Sequence, residues 1–188
     1  KFKYFKLMNI EIAIKNACKE LKKNKISSAL LDSELLLSKV IKKDRKFILL
    51  NLDKKLNQSD QDSYKNLILK RSKGKPLAYL TGIKSFWKYN FKVNENVLIP
   101  RPDTELIIEQ VLNIYKNKNN LNFLEVGVGS GCIALSILKE KKSFKATGID
   151  LSQDCIKICR YNANKLGVVD RIKLVKSDVD NLIFRKYD

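Results

Sequence analysis

The run Gly127-Val128-Gly129-Ser130-Gly131 constrains this chain more than any other stretch. Phe123-Leu124-Glu125-Val126 precedes it as a short apolar run closed by an acid, and Ile133, Leu135, Ile137 and Leu138 follow at helical spacing. That order predicts a strand, a tight turn and a helix N-terminus. Glycine lets a ligand approach the backbone where a Cβ would obstruct it, and free N–H groups at a helix start favour electron-rich ligand atoms. A second apolar run ends in Thr147-Gly148-Ile149-Asp150, and a third, Ile172 to Val175, leads into Ser177-Asp178. Asp150 stands nineteen residues beyond Gly131, where a carboxylate can accept hydrogen bonds from both hydroxyls of a ribose. Three strand ends with polar groups point to a nucleotide-like ligand. The plainer alternative is that the turn is merely tight and that Asp150 caps a helix. The dinucleotide pattern G-x-G-x-x-G is not met, because position 132 is Cys and the third glycine is Gly131.

Composition limits the remaining classes. With 188 residues, 44% of them hydrophobic, the chain can build a real core as one medium domain or two small ones. No apolar run approaches the roughly 20 residues that span a bilayer. Lys1-Phe2-Lys3-Tyr4-Phe5-Lys6 has no apolar region or cleavage site of an export signal. A cytoplasmic protein without membrane attachment is expected, with Met8 as the native start and residues 1–7 as upstream or fragment sequence. The formal charge of +18 invites a nucleic-acid reading. Lysine spread among asparagine and isoleucine is also what an AT-rich coding sequence produces, though a basic surface still assists encounters with ribosomes or RNA. The absence of histidine rules out a His-based triad and an ordinary catalytic zinc site, and no metal is expected. Cys18, Cys132, Cys155 and Cys159 form no C-x-x-C pair and read as reduced thiols.

In chain order, residues 8–73 form a helical domain. Ile10, Ile12, Ala13, Ala17 and Leu21 make one stripe, and leucines recur from Ala29 to Leu37. A short segment spans Asp44 to Leu50, and Ser59 reads as the N-cap of a helix through Arg71. Residues 74–100 follow as a linker containing a β-hairpin, in which Phe86, Trp87, Tyr89, Phe91 and Val93 alternate with polar residues. Its aromatic face either packs between the two domains, the preferred reading, or stacks on RNA bases. Arg101 sits between Pro100 and Pro102 in an extended segment, and Asp103 or Thr104 is placed to cap the next helix. Such an arginine can meet a ligand carboxylate, orient an acidic partner, or only brace the linker.

The Glu-x-Gly-x-Gly-x-Gly turn resembles motif I of class I S-adenosylmethionine (AdoMet) methyltransferases. Gly74-x-Pro76-Leu77-Ala78-Tyr79-Leu80-Thr81-Gly82, then Phe86-Trp87, then Val97-Leu98-Ile99-Pro100-Arg101-Pro102-Asp103-Thr104-Glu105-Leu106 are far more specific. Together with Asn162-Ala163 and Ser177-Asp178 they resemble the HemK/PrmC family of protein-(glutamine-N5) methyltransferases acting on peptide chain release factors. The resemblance covers nearly the whole chain from Met8. It implies an α/β fold: an N-terminal small helical bundle that helps bind the release factor, a β-hairpin linker, then over residues 101–188 the first half of a Rossmann-like class I AdoMet methyltransferase domain. It also implies that Gly127, Val128, Gly129, Ser130 and Gly131 line the AdoMet site, with Asp150 on the ribose and Asp178 and Val179 at the adenine. Glu125 stands where many members carry Asp, Val179 where many carry a larger residue, and Lys75 where Glu is frequent.

The family's Asn-Pro-Pro-Tyr, whose Asn side chain and proline carbonyl hold the glutamine amide, does not occur; all three prolines (Pro76, Pro100, Pro102) lie upstream of Gly127. Orienting a poorly nucleophilic amide can be worth roughly 7–11 kcal/mol. The 188 residues are therefore expected to be a fragment, inactive alone, with no catalytic residue assigned and with the strand near Asn122 to Val126 left as an exposed edge. Alternatives are a ribosomal-protein glutamine methyltransferase, an N6-adenine methyltransferase, which the Ile99-to-Glu105 linker argues against, and a non-catalytic RNA- or ribosome-binding protein.

Overall fold

The computed structural model describes residues 8–181 and 187–188; the readings made for residues 1–7 lie outside them, as do residues 182–186 of the second domain. The chain divides into two compact units, ending and beginning at Thr81 and Gly82.

In the first unit, α1 (Ile10–Lys23), α2 (Ala29–Ile41), α3 (Arg45–Leu50), α4 (Gln58–Ser72) and the short α5 (Leu77–Thr81) pack around Ile10, Leu21, Leu36, Leu37, Ile48, Tyr64 and Ile68. The Asn9 side chain accepts from Ile12 N–H and the Asp44 side chain from Phe47 N–H, starting α1 and α3 as N-caps do. Two local readings are corrected. Ile12 is exposed, and Ile14 takes its place in the buried stripe, because a helical face is settled by what packs on it. Helix α4 is capped by Asn57, not Ser59: the Asn57 side-chain Oδ1 accepts from Asp60 N–H at 2.8 Å while its Nδ2 donates to the Asp60 carboxylate. Helix α2 buries Asp32, Ser33 and Glu34 in succession, so the bundle must supply partners for them. Arg71 Nε donates to Asp32 and Arg45 Nε to Glu34, both at 2.6 Å, and the Tyr64 hydroxyl donates to the Ser33 carbonyl.

In the second unit, β1 (Ile83–Phe86) and β2 (Tyr89–Lys92) form an antiparallel hairpin. Then come α6 (Glu105–Ile114), β3 (Asn122–Val126), α7 (Cys132–Glu140), β4 (Lys145–Asp150), α8 (Gln153–Leu166) and β5 (Ile172–Lys176). Strands β3, β4 and β5 lie parallel and in that order, with Val126 opposite Ile149 and Asp150 opposite Lys176. Their carboxyl ends therefore line up, which is where open parallel sheets bind ligands. Beside β3, Asp188 N–H donates to Asn122 C=O and the Asp188 carboxylate accepts from Asn122 N–H. Arg171 closes α7 by donating to the Leu138 carbonyl in its last turn, where a helix leaves carbonyls without internal partners, and to the carbonyls of Lys141 and Phe144 just beyond it.

The stretch 74–100 is shared between the units: α5 belongs to the first and the hairpin to the second. Phe86 and Phe91 are buried, edge to face at 6.1 Å, in the core that also holds Ile108, Leu135, Leu138 and Phe144. Phe86 and Phe91 are thus part of the second unit's own core, with Trp87 and Tyr89 packed against it. At the hairpin turn Trp87 adopts a left-handed φ of 55°, a strained conformation for a bulky residue, and two acids hold it there. Glu105 accepts from Trp87 N–H at 2.7 Å; Glu140 accepts from Trp87 Nε1, Lys88 Nζ and Tyr89 Oη at 2.9–3.0 Å. Burial pulls the Glu140 carboxyl upward, but its donors from Trp87, Lys88 and Tyr89 outweigh that and hold it below the ordinary value. A carboxyl depressed in the folded state adds stability above its unfolded value and loses it as pH falls through the folded one. Glu140→Ala is expected to cost about 2 kcal/mol near neutral pH, with the deficit shrinking in acid. Denaturation followed by the fluorescence of Trp87, the chain's one tryptophan, measures it.

Candidate functional site

The turn after β3 is built by hydrogen bonds to β4. Gly127 N–H and Val128 N–H both donate to the Ile149 carbonyl at 2.9 Å, hooking the turn over the end of the neighbouring strand. Gly131 N–H then donates to Val128 C=O at 2.7 Å. Gly127, Gly129 and Gly131 all take positive φ, 73°, 51° and 80°, which side chains with a Cβ rarely adopt. The two sides of the turn differ. Val128 and Ser130 are buried, with Val128 in the core, so both would meet a ligand through backbone atoms. Gly127 is exposed and Gly129 half-buried, and a Cβ on Gly127 would meet nothing within 4 Å. An open cradle of bare backbone results.

Asp150 closes one side of it. Its Oδ2 accepts from Gly129 N–H and its Oδ1 from Ser152 N–H, each at 2.9 Å. An ionised carboxylate offers about four acceptor positions, so each oxygen retains room for a further donor. Ser177 N–H donates to the Asp150 carbonyl at 3.1 Å and brings the end of β5 alongside. Asp178 is exposed and its carboxylate accepts from Asp180 N–H, while Val179, 38% exposed, begins the short helical turn 179–181. The glycine turn and Asp150 are thus directly bonded to one another. Asp178 and Val179 stand at the same end of the sheet, one strand further on. Arg101 is exposed, and Thr104, at the start of α6, makes no side-chain cap bond.

Two features escaped the sequence reading. Leu151, directly after Asp150, is 68% exposed; an apolar residue there reads in sequence as one more strand position. Glu125, read as the acid before the glycines and as standing where many family members carry Asp, accepts from Ala134 N–H through Oε2 at 2.9 Å and so caps α7, whose preceding residue, Gly131, has no side chain to do it. Burial raises the Glu125 carboxyl to about 8, and the bond from Ala134 lowers it only in part. Raised above its unfolded value, this acid favours the folded state when protonated and costs stability progressively as pH climbs from the usual carboxylate range to about 8. Glu125→Gln keeps an acceptor for Ala134 and removes that cost. Relative to the parent, the variant is expected to gain on the order of a few kcal/mol between about pH 5 and about pH 9, measured by urea denaturation at each.

The first unit holds a cleft of about 390 Å³, lined by Met8, Asn16, Gln61, Tyr64, Ile68 and their neighbours. Among the described residues, no group of His, Cys, Asp or Glu could hold a metal ion, and no helix is long and apolar enough to cross a membrane.

Residues 13–82 match the family model described as the PrmC N-terminal domain, and residues 123–188 that of a methyltransferase domain. The chain is 40% identical over 161 residues to the release factor glutamine methyltransferase of Leptospira interrogans, covering 85% of this chain and 56% of that protein. With the release factor glutamine methyltransferase of Fusobacterium nucleatum the identity is 33%, over 99% and 53% of the two chains. The bifunctional methyltransferase of Rickettsia conorii is 36% identical, over 96% of this chain and 39% of that one. The chain therefore spans roughly two-fifths to just over half of the curated relatives it matches.

Proposed function

Because the chain belongs to the HemK/PrmC family, a PrmC N-terminal domain joined to a methyltransferase domain, we propose that it binds AdoMet at the glycine turn and serves N5-methylation of the glutamine in the Gly-Gly-Gln motif of peptide chain release factors. The observation that carries the proposal is the Asp150 carboxylate, tied to Gly129 N–H beside a cradle without side chains and still able to accept from a ribose. The residues fit such a nucleoside. Gly127 and Gly129 admit it to the backbone, Asp150 takes the sugar hydroxyls, and exposed Leu151 and Val179 offer apolar surface to a purine ring. When bound, AdoMet supplies a methyl group on a sulfonium, for in-line transfer to the amide nitrogen. These residues bind and orient; none of them takes or gives a proton in that transfer.

The glutamine amide has no holder among these 188 residues, since Asn-Pro-Pro-Tyr does not occur in them. Recognition of the release factor is assigned to the helical unit. Calorimetric titration with AdoMet, and mass spectrometry of a release factor incubated with the protein, test the two levels separately. AdoMet binding without methyl incorporation by the 188 residues is the expected result. Failure to bind AdoMet overturns the cofactor assignment, and incorporation by these residues alone overturns the view that transfer needs the missing motif.

A further inference from the structure

We propose that Asn162 is a positioning residue of this site, a clamp that fixes the glycine turn against the β-hairpin; the proposal rests on the reading of that turn as the AdoMet cradle. Helix α8 turns an apolar stripe inward through Cys155, Ile156, Ile158, Cys159 and Ala163. Asn162 falls on that stripe and is 2% exposed. An amide buried there costs stability unless its polar atoms are paired, and these are. Oδ1 accepts from Lys92 N–H at 2.8 Å, while Nδ2 donates to Lys92 C=O at 3.1 Å and to Ser130 C=O at 2.8 Å. One side chain thus engages both backbone groups of a β2 residue, as a neighbouring strand would, and spends its second donor on the glycine turn.

That last bond reaches a peptide which the turn's other bonds leave unanchored to the body of the unit. Gly127 N–H and Val128 N–H fix the entry of the turn to β4, Gly129 N–H fixes its middle to Asp150, and Gly131 N–H bonds back within the turn to Val128. The Ser130 carbonyl is held from outside, by Asn162. Its direction sets the Ser130–Gly131 peptide plane, just where Gly131 enters α7 at φ 80°. Glycines at positive φ have many other conformations available, so releasing this carbonyl would let the cradle sample shapes that do not fit a ligand. Binding would then have to restore the lost order, and affinity would fall although no ligand contact has been removed.

The test uses Asn162→Leu, which keeps the bulk and suits the stripe, and Asn162→Asp, which keeps an acceptor for Lys92 N–H but turns no donor toward either carbonyl when ionised. AdoMet affinity is read by calorimetry and amide hydrogen exchange by NMR, with circular dichroism establishing which variant is folded; either folded variant suffices. A loss of about tenfold or more in affinity is expected, with faster exchange at Gly129 and Gly131 and unchanged exchange in the centre of β4. Unchanged affinity in a folded variant overturns the clamp, as does faster exchange spread evenly over the unit, the mark of general destabilisation. If the parent itself binds no AdoMet, the cofactor reading fails; exchange at Gly129 and Gly131 still decides whether Asn162 holds the turn.

Discussion

Asp150→Ala is expected to abolish measurable AdoMet binding while leaving the protein folded. In the parent, each Asp150 oxygen already accepts one backbone N–H, from Gly129 or Ser152. In the proposed function the further positions are the ones a ribose would use. Two hydrogen bonds to a charged acceptor contribute about 1.5–3 kcal/mol each, so their loss weakens binding by roughly two to four orders of magnitude. Gly129 also loses its anchor, which adds to the effect. Both N–H groups lie at the half-buried rim and can turn to water, so global stability changes little. Calorimetry with AdoMet, beside thermal unfolding, separates these quantities. The same titration distinguishes a polyanion-binding protein, in which RNA affinity would fall with salt and ignore the substitution. Retained AdoMet affinity in Asp150→Ala would remove the ribose from Asp150 and with it the main support for the cofactor assignment.

Gly131→Ala is expected to do the opposite, damaging the fold before binding can be measured. Two costs coincide at this position. A φ of 80° is strained for any residue with a Cβ, at roughly 1–2 kcal/mol. The added atom would also stand 2.6 Å from Cys159 Sγ and 2.7 Å from Leu135 Cδ1, both side chains fully buried, and overpacking of this kind adds about 1–3 kcal/mol. A total near 3–4 kcal/mol is a large part of a small unit's stability. Urea denaturation should show it, and Cys159→Ala should recover part of the loss by vacating one contact. Gly127→Ala gives the contrast: φ is 73° but the Cβ meets nothing. Its expected signature is weaker AdoMet binding by a protein that still unfolds cooperatively.

The different fates of these two glycines could not be read from the chain, where both are simply alternate members of one run. Their spacing made the strand, turn and helix legible, because each is encoded within a few residues by periodicity and by glycine's backbone freedom. The parallel strand ends at Val126, Asp150 and Lys176 were legible for the same reason. Helix starts were less so: Asn57 and Ser59 are both good caps, and selecting Asn57 depended on its reciprocal bonds with Asp60.

By itself, the sequence determined where a bare backbone turn, Gly127 to Gly131, and an acid at a strand end, Asp150, would stand, the two features on which the proposed nucleoside site rests. Tertiary structure decided what each of them leans on. It set Glu125 beneath α7, placed Asn162 between Lys92 and Ser130, gathered three hairpin donors onto Glu140, and assigned the hairpin to the second unit. Local pattern specifies period and turn, which depend on neighbours along the chain. A side chain's partner some 30 to 70 residues away is selected only when packing brings the two together, and a buried polar group then accepts whatever partner that packing provides.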